Sequence, residues 1–256
     1  QPIGGLKGFL QSIQKLVRET CPDEVVICWD GEGGSQRRKS KNKGYKEGRK
    51  PIRLNRDIRN LSENEEIINK IWQQTRLVEY LNELPMIQLM LPGVEADDII
   101  SVVVQHPVYD GWQKVIVSSD KDFFQLCDEE TLVLRPIQKQ IISEKNLIEE
   151  YGIHPKNFAL ARAIVGDKSD NLPGVGGIGL PTIKKRFPFL SEDKDYDIES
   201  IVSYCTNQES KIKAFSNILE KQDVIEENYQ LMQLYVPSLS IQGKKKINFA
   251  LENFEP

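Results

Sequence analysis

Apolar positions recur at helical spacing in two long stretches of the chain and form short continuous runs elsewhere. Residues 5–19 and 67–81 carry apolar side chains three and four positions apart, which predicts two amphipathic helices. Val25–Trp29 is a continuous apolar run and predicts a strand that is buried on both faces. Further strands are predicted at 86–91, 114–118 and 131–135, with a helix at 94–104 and a helical turn at 122–126. Strands that alternate with helices favour an α/β fold on a mainly parallel sheet flanked by helices.

Beyond about residue 143 the pattern becomes purely helical. Ser143 is a good N-cap for a helix that ends at Tyr151, with Gly152 just past its end. A later helix follows a glycine-rich turn and carries Pro181 in its first turn. Other helices are predicted at 158–165, 196–204, 209–220 and 222–233. We therefore expect an α/β domain followed by a helical subdomain, with a boundary near 143.

Composition narrows the class of protein without identifying it. The chain has 256 residues, of which 39% are hydrophobic and 28% charged, as in an ordinary globular protein. Its longest apolar runs are about five residues, far short of the roughly 18 that a transmembrane helix needs, so no membrane partner is expected. The four cysteines, at 21, 28, 127 and 205, show neither metal-binding spacing nor the density of a secreted disulfide framework. Reduced thiols in a cytoplasmic protein are the simplest interpretation.

Charge is distributed unevenly along the chain. The stretch Gln36–Arg56, here called the basic strip, contains ten lysines and arginines against Glu47 and carries +9, which leaves −13 on the rest of a chain whose net charge is −4. A basic element on an acidic body favours a polyanion partner, with cations held by the acidic groups. The alternative is that the basic strip is only a solvated, flexible loop.

Six carboxylates stand just past the ends of three predicted strands: Asp30, Glu95, Asp97, Asp98, Asp120 and Asp122. In an open parallel sheet the carboxyl ends of the strands line one crevice. Carboxylates that meet there repel one another unless cations lie among them. Each cluster also has a purely structural explanation, because acids complement the dipole in a first helical turn and Asp120 is a suitable N-cap.

A fourth acidic cluster follows the helix predicted at 158–165. Asp167 and Asp170 have the spacing that places both on one face of a helical turn. Since no histidine or cysteine accompanies them, the oxygen ligands suit Mg²⁺ or Mn²⁺ rather than zinc. The two histidines, His106 and His154, each precede a proline and are predicted on the solvated surface, so a histidine general base is not expected.

Residues 174–179 match the pattern G-x-G-x-x-G but follow a helix and a loop, which argues against a dinucleotide site. A helix–hairpin–helix turn fits this context better, because its glycines let backbone N–H groups approach a DNA phosphate. A tight interhelical turn without a ligand is the alternative. The candidate DNA-binding residues here are Gly174, Gly176, Gly177, Gly179, Lys184 and Lys185, with Arg186 adding charge.

Five motifs occur in the order of the 5'-nuclease family, the flap endonucleases and 5'→3' exonucleases that include the exonuclease domain of bacterial DNA polymerase I. They are Trp29-Asp30-Gly31, Tyr45-Lys46-Glu47-Gly48-Arg49, Val94–Asp98, Ser118–Phe123 and Gly166–Gly179. The chain resembles this family from about residue 4 to residue 235. The resemblance implies a PIN-like nuclease domain over 1–142, in which 36–60 form a helical arch. It also implies a helical DNA-binding subdomain over 143–256, of the helix–three-turn–helix type, with a helix–hairpin–helix at 158–187.

The same resemblance implies two Mg²⁺ (or Mn²⁺) ions, with possible ligands in two groups. One ion is expected at Asp30, Glu95, Asp97 and Asp98, and the other at Asp120, Asp122, Asp167 and Asp170. Lys46 and Arg49 occupy the positions of the cations that engage the scissile phosphate, and Tyr45 that of a residue that stacks on a nucleobase. Arg37 and Arg38 of the basic strip are expected to contact DNA. The glycine turn is expected to hold K⁺ as well.

The implied function is a metal-dependent, structure-specific 5'→3' exonuclease or flap endonuclease of replication or repair. Its expected partners are DNA with 5' flaps, nicks or ends, and RNA/DNA hybrids, bound by a monomer. The family also has an aspartate at the end of its first strand, and this sequence begins after that position. A catalytically weak DNA-junction-binding protein is therefore one alternative. A PIN-type endoribonuclease of single-stranded RNA is another, which the glycine hairpin disfavours.

Overall fold

The computed structural model describes residues 2–47, 61–208, 212–237 and 239–255. Within these ranges, 3-10 helices occur at Pro107–Tyr109, Lys121–Leu126, Pro155–Asn157 and Pro188–Ser191. The strands are β1 (Val26–Trp29), β2 (Ile87–Met90), β3 (Lys114–Val117), β4 (Thr131–Arg135) and β5 (Gln140–Ile142). The α-helices are α1 (Gly4–Thr20), α2 (Gln36–Lys41), α3 (Glu63–Asn82), α4 (Ala96–Val104), α5 (Glu144–Tyr151), α6 (Phe158–Val165), α7 (Leu180–Arg186), α8 (Ile198–Thr206), α9 (Lys213–Glu220), α10 (Gln222–Met232) and α11 (Ile241–Glu252).

The strands of the described residues form two small sheets rather than the single sheet that was expected. In one, β1 and β2 run parallel, with Val26 opposite Ile87. In the other, β4 pairs in parallel with β3 and in antiparallel with β5. The α/β class and the four predicted strands are confirmed. Strand β5 was not predicted, because three residues are too few to establish an alternating pattern.

Helices cover both faces of the β1–β2 pair. Helices α1 and α3 pack over Ile27, while α4 and α11 pack over Ile87 and Leu89. The largest core cluster instead joins β3, β4 and β5 to the helices from α5 to α10, with Phe124, Phe158 and Phe187 among its fully buried members. This cluster extends across residue 143, and the domain boundary expected there stays a prediction.

Local sequence explains several helix ends. Ser143 caps α5 and forms a capping box with Asn146, and Gly152 closes the helix in the left-handed conformation at φ 63°, as predicted. Helix α7 carries a proline in its first turn, also as predicted. Helix α11 was not predicted, because Lys244–Lys246 interrupt its apolar pattern and only every fourth residue, such as Gly243 and Ile247, is buried. No helix in the described parts of the chain has both the length and the hydropathy to cross a bilayer.

The first part of the arch expected at 36–60 consists of α2 and a turn at 43–47. The remainder of the expected arch, from residue 48 onward, lies outside the described residues. Helix α3, which begins after Ser62, carries a capping box between Ser62 and Glu65.

Candidate active site

Four carboxylates from three separate segments line one pocket: Asp97, Asp120, Asp122 and Asp170. They come from the start of α4, from the turn that follows β3, and from the loop that follows α6. Arg38 and Tyr45 of the basic strip line the same pocket, which is here called the acidic pocket. Three of the six carboxylates that follow predicted strands, Asp97, Asp120 and Asp122, therefore meet beside Arg38 and Tyr45 of the basic strip.

Glu95 and Asp98 are neutralised by cations of the basic strip. Glu95 is only 4% exposed and contacts both Arg38 and Lys46, whose Nζ lies 2.5 Å from its Oε1. The Arg38 guanidinium also holds both oxygens of Asp98, at 3.1 Å each. Burial acts to raise the pKa of Glu95, but Arg38 and Lys46 outweigh it and hold that pKa below its ordinary value. For Asp98 burial prevails, and its pKa is raised.

Asp97 has no comparable compensation. Its carboxylate makes no hydrogen bond or ion pair within the part of the chain that the structure describes. Burial, with the nearby charges of Asp120 and Glu95, raises the pKa of Asp97 to about 7, even though Lys46 and Arg38 oppose the shift. An added cation would stabilise this carboxylate, because the described residues supply it no hydrogen bond or ion pair.

Asp120 and Asp122 open the 3-10 helix that follows β3. Asp120 is its N-cap and accepts a hydrogen bond of 2.9 Å from the Asp122 N–H, so the structural explanation offered for Asp120 holds beside the functional one. Burial, then the charges of Asp120 and Asp167, raise the pKa of Asp122 to about 6, and Arg162 counteracts them. The Asp122 carboxylate is therefore largely buried, and Arg162 pairs with only one of its two oxygens, Oδ1.

The segment around Asp167 and Asp170 differs from the expected helical turn. Gly166 ends α6 at φ 76°, and an antiparallel bridge between Asp167 and Leu172 closes the loop. Asp170 lines the acidic pocket, whereas Asp167 lies beside it and accepts hydrogen bonds of 2.6 Å from the Ser169 N–H and hydroxyl. The expectation of a shared helical face was wrong because the backbone of Asp167 pairs with Leu172 instead of continuing α6.

Arg162, which was not among the predicted site residues, links Asp122 to Asp167. Its Nε donates to Asp122 Oδ1 at 2.9 Å, and its Nη2 contacts Asp167 Oδ2. The signal was available, because Arg162 is the one charged residue in the otherwise apolar sequence of α6. A buried arginine on an apolar helix requires carboxylate partners nearby.

Asp30 is exposed and lies apart from the residues that line the acidic pocket. Its Oδ1 accepts a hydrogen bond of 2.9 Å from the backbone N–H of Ala96, at the beginning of α4. The carboxylate thereby satisfies one of the unpaired N–H groups of α4 and fixes the loop that carries Glu95. Its assignment as a metal ligand stays a prediction.

The basic strip is anchored on the acidic pocket through Tyr45 and Lys46. Tyr45 is 3% exposed, packs against Leu172 and Leu231, and its hydroxyl lies 3.4 Å from Glu95 Oε2. Stacking of Tyr45 on a nucleobase stays a prediction and would require the ring to leave this cluster. The backbone N–H of Lys46 donates to the carbonyl of Asp170 at 2.9 Å.

Two other predicted residues of the basic strip lie elsewhere. Arg37 lines a neighbouring groove with Lys41 and Tyr229 rather than the acidic pocket. Arg49 lies outside the described residues.

The glycine turn is a tight connection between α6 and α7. A Cβ on Gly174 would lie 1.8 Å from the Val165 carbonyl oxygen, and Gly177 has φ 79°, so both positions require glycine. Gly176 has open space around it, and Gly179 is the N-cap of α7. The need for a tight turn between α6 and α7 therefore explains Gly174 and Gly177 without a ligand. Binding of DNA or K⁺ at this turn stays a prediction.

The two lysines of α7 differ in their surroundings. Lys184 donates from Nζ to the carbonyls of Glu149 and Glu150, at 2.8 and 2.9 Å, and so caps the end of α5. Lys185 is exposed. Of the two predicted DNA-binding lysines, Lys184 therefore has a structural task that Lys185 does not share.

The prediction that both histidines lie on the solvated surface was wrong. His106 and His154 are buried, and the Nδ1 of each accepts a backbone N–H two residues later. Each ring caps a 3-10 helix whose first residue is the following proline, so the His-Pro pair forms a helix start rather than a loop. Neither histidine lines the acidic pocket.

The donor set of the acidic pocket fits a hard divalent cation. Its acidic ligands are carboxylates only, which suit Mg²⁺ or Mn²⁺, and burial of Asp97 and Asp122 creates a demand for positive charge. Within the described residues no three acidic, histidine or cysteine side chains already converge as a metal cage. Asp122 of the pocket pairs with Arg162, and Glu95 beside the pocket pairs with Arg38 and Lys46.

Comparison with known proteins supports the same interpretation. Residues 1–152 match the family model described as the 5'-3' exonuclease, N-terminal resolvase-like domain. The thermostable DNA polymerase I of Thermus aquaticus is 33% identical over 185 residues, which cover 72% of this chain and 20% of that protein. A 5'-3' exonuclease of Aquifex aeolicus is 27% identical over 235 residues, covering 91% of this chain and 72% of that protein. The chain thus spans about a fifth of the length of the thermostable polymerases that it matches.

Solved structures show the same fold. The 5'-exonuclease of bacteriophage T5 with bound divalent metal ions (zinc) aligns with a TM-score of 0.76 at 17% identity, covering 99% of this chain and 92% of that one. A complex of the T5 D15 flap endonuclease with DNA and metal ions gives the same TM-score, identity and coverage. Fold and pocket together define a PIN-like α/β protein with carboxylates gathered at the strand ends. Within that class, the chain belongs to the 5'-3' exonuclease family.

Proposed function

We propose that this protein is a divalent-metal-dependent, structure-specific 5'-nuclease that hydrolyses phosphodiester bonds of DNA as a 5'→3' exonuclease or flap endonuclease. The observation that carries the proposal is the acidic pocket, where four carboxylates from three distant segments meet Arg38 and Tyr45 of the basic strip. Carboxylates and cations side by side are what a phosphodiester needs, because metal ions and basic groups both neutralise its charge.

Asp97, Asp120, Asp122 and Asp170 are the residues that would hold the metal ions most directly. Glu95, Asp98, Asp167 and Asp30 complete the two proposed ligand groups. Mg²⁺ or Mn²⁺ bound there supplies Lewis acidity, which activates water and stabilises the leaving oxygen of the phosphodiester. K⁺ at the glycine turn is part of the same proposal.

The chain's own cations bind and orient the phosphate. Arg38 lines the acidic pocket, and Lys46 contacts Glu95 beside it. Either cation can transfer from its carboxylate to a phosphoryl oxygen of the substrate. Both are partly buried, and a charge-assisted hydrogen bond gains strength in such surroundings. Arg49 is proposed for the same task from its motif position, and Tyr45 for base stacking.

The proposed substrates are DNA with 5' flaps, nicks or ends, together with RNA/DNA hybrids. Arg37, Arg38, Lys184, Lys185 and the glycine turn are proposed to contact the DNA backbone. Residues 1–142 are proposed as the nuclease domain and 143–256 as the DNA-binding subdomain of a cytoplasmic monomer. The Aquifex relative is named a 5'-3' exonuclease and the T5 relative a flap endonuclease, which supports these substrate classes.

The test is cleavage of a fluorescent 5'-flap DNA across a Mg²⁺ titration, compared between wild type, Asp97→Asn and the exposed control Asp110→Asn. We expect Mg²⁺-dependent cleavage by wild type and Asp110→Asn, and loss of cleavage by about 100-fold or more in Asp97→Asn. Binding without cleavage would favour the junction-binding alternative. Cleavage of single-stranded RNA alone would favour an endoribonuclease, and full activity in EDTA would overturn metal dependence.

A further inference from the structure

Arg162 occupies a position in α6 that few charged groups tolerate. It is 9% exposed, and its helix neighbours Ala161, Ala163 and Ile164 are fully buried. Desolvation of a guanidinium costs several kcal/mol unless its hydrogen bonds are satisfied, so a guanidinium at this position needs acceptor partners. Those partners are Asp122, Asp167 and, at 3.5 Å, the carbonyl of Gly166.

The support beneath Arg162 is rigid. Helix α6 packs against α10, where the buried side chain of Asn228 donates to the carbonyls of Ala163 and Pro173, at 2.9 and 2.8 Å. These hydrogen bonds tie α6 to the loop that follows it, on which Asp167 lies. The guanidinium is therefore held in place relative to Asp167, and α6 also packs against the 3-10 helix that carries Asp122.

Arg162 differs from the cations of the basic strip in the oxygens that it uses. Arg38 and Lys46 between them occupy both oxygens of Glu95, and Arg38 occupies both of Asp98. Arg162 takes only Oδ1 of Asp122 and Oδ2 of Asp167. Oδ2 of Asp122 makes no hydrogen bond within the described residues, and Asp122 lines the acidic pocket.

We infer that Arg162 is a positioning residue, which holds Asp122 and Asp167 at a fixed separation so that a divalent cation can bind in the acidic pocket. The inference rests on the proposed function, because it concerns the metal ions proposed there. The planar guanidinium presents two N–H directions at once and so fixes two carboxylates that would otherwise repel each other. Arg162 acts through these carboxylates and need not touch the nucleic acid.

The affinity of Arg162→Met for a divalent cation should change in opposite directions if Arg162 acts by positioning the carboxylates or only by its charge. Removal of a positive charge beside the pocket would by itself tighten cation binding. Loss of positioning would weaken it, by about 10- to 100-fold as for other residues that orient metal ligands. The readout is Mn²⁺ binding in the absence of DNA, followed by the electron paramagnetic resonance signal of free Mn²⁺, with thermal unfolding recorded in parallel.

The control is Arg76→Met, which removes an exposed arginine paired with Glu79 on α3 and should leave Mn²⁺ binding unchanged. Arg162→Lys keeps the charge but cannot span both carboxylates, so we expect weaker binding than in wild type. If Arg162→Met does not fold, Arg162→Lys decides. Unchanged or tighter Mn²⁺ binding in the folded variants overturns the inference alone. Absence of Mn²⁺ binding by wild type overturns the proposed function and the inference with it.

Discussion

Lys46 Nζ lies 2.5 Å from Glu95 Oε1, although the two residues are 49 positions apart in the chain. Lys46 reaches this carboxylate from a left-handed backbone conformation, with φ at 53°, which few residues other than glycine adopt. Its backbone N–H bond to Asp170 stabilises the turn in that conformation. Residues 36–47 of the basic strip and the acidic pocket therefore form one unit, in which protein cations offset carboxylate charge.

Lys46→Ala should lower turnover far more than it lowers DNA affinity. Many other cations also contact phosphate, so the affinity for DNA should fall only slightly. The slope of log affinity against log salt concentration should decrease by about one phosphate contact. Turnover should fall by about 100-fold or more, because a cation beside the reacting phosphate is lost. Single-turnover cleavage and fluorescence anisotropy, measured over a salt series, separate the two quantities. A salt-independent affinity in wild type would show that the basic strip is only a solvated loop.

Asp97→Asn should stabilise the metal-free protein while it removes activity. Because the folded-state pKa of Asp97 is raised to about 7, the folded protein binds more protons than the unfolded chain between that value and the ordinary carboxyl pKa. The contribution of Asp97 to the free energy of unfolding therefore falls as pH rises through this window. Asparagine has no charge to bury, so the variant does not show this fall.

The measurement is urea unfolding of wild type and Asp97→Asn in EDTA, at about pH 5 and about pH 8. We expect Asn to add about 1–3 kcal/mol to the free energy of unfolding at the higher pH, and less at the lower one. An equal effect at both values would contradict a raised pKa for Asp97.

Gly174→Ala and Gly176→Ala should differ sharply, although they are two positions apart in the same turn. A Cβ at 174 would collide with the Val165 backbone, which cannot move without breaking the end of α6, so we expect a loss of about 3 kcal/mol or more. A Cβ at 176 meets open space, so the loss should stay within about 0.5 kcal/mol. Thermal or urea unfolding tests the difference. Reduced DNA affinity of a folded Gly176→Ala variant would support phosphate contact at this turn.

Lys184→Ala and Lys185→Ala form a second matched pair. Lys184 satisfies two carbonyls at the end of α5, so its loss should lower stability by about 0.3–1 kcal/mol. Lys185 has an exposed side chain, so its substitution should leave stability unchanged while DNA affinity falls and depends less steeply on salt. Equal effects of both substitutions on DNA affinity would show that Lys184 releases α5 when DNA binds.

Local pattern was enough for the features that depend on near neighbours in the chain. Apolar runs identified β1 to β4, and the Ser143 and Gly152 signals located both ends of α5, because strand burial and helix capping involve residues only a few positions apart. Of the six carboxylates that were expected to meet past the strand ends, Asp97, Asp120 and Asp122 line the acidic pocket, although β2 and β3 belong to separate sheets.

Tertiary structure alone decided how those charges are paired. Arg162 meets Asp122 across 40 residues and Lys46 meets Glu95 across 49, and no periodicity in the sequence states which segments will touch. Asp30 carried the same signal as Asp97, yet Asp30 accepts a hydrogen bond at the start of α4, while Asp97 lines the acidic pocket and has no hydrogen-bond partner among the described residues. The histidines likewise became buried caps. Sequence pattern determines which residues can carry charge or chemistry, whereas packing between distant segments determines which of them are desolvated and by what they are compensated.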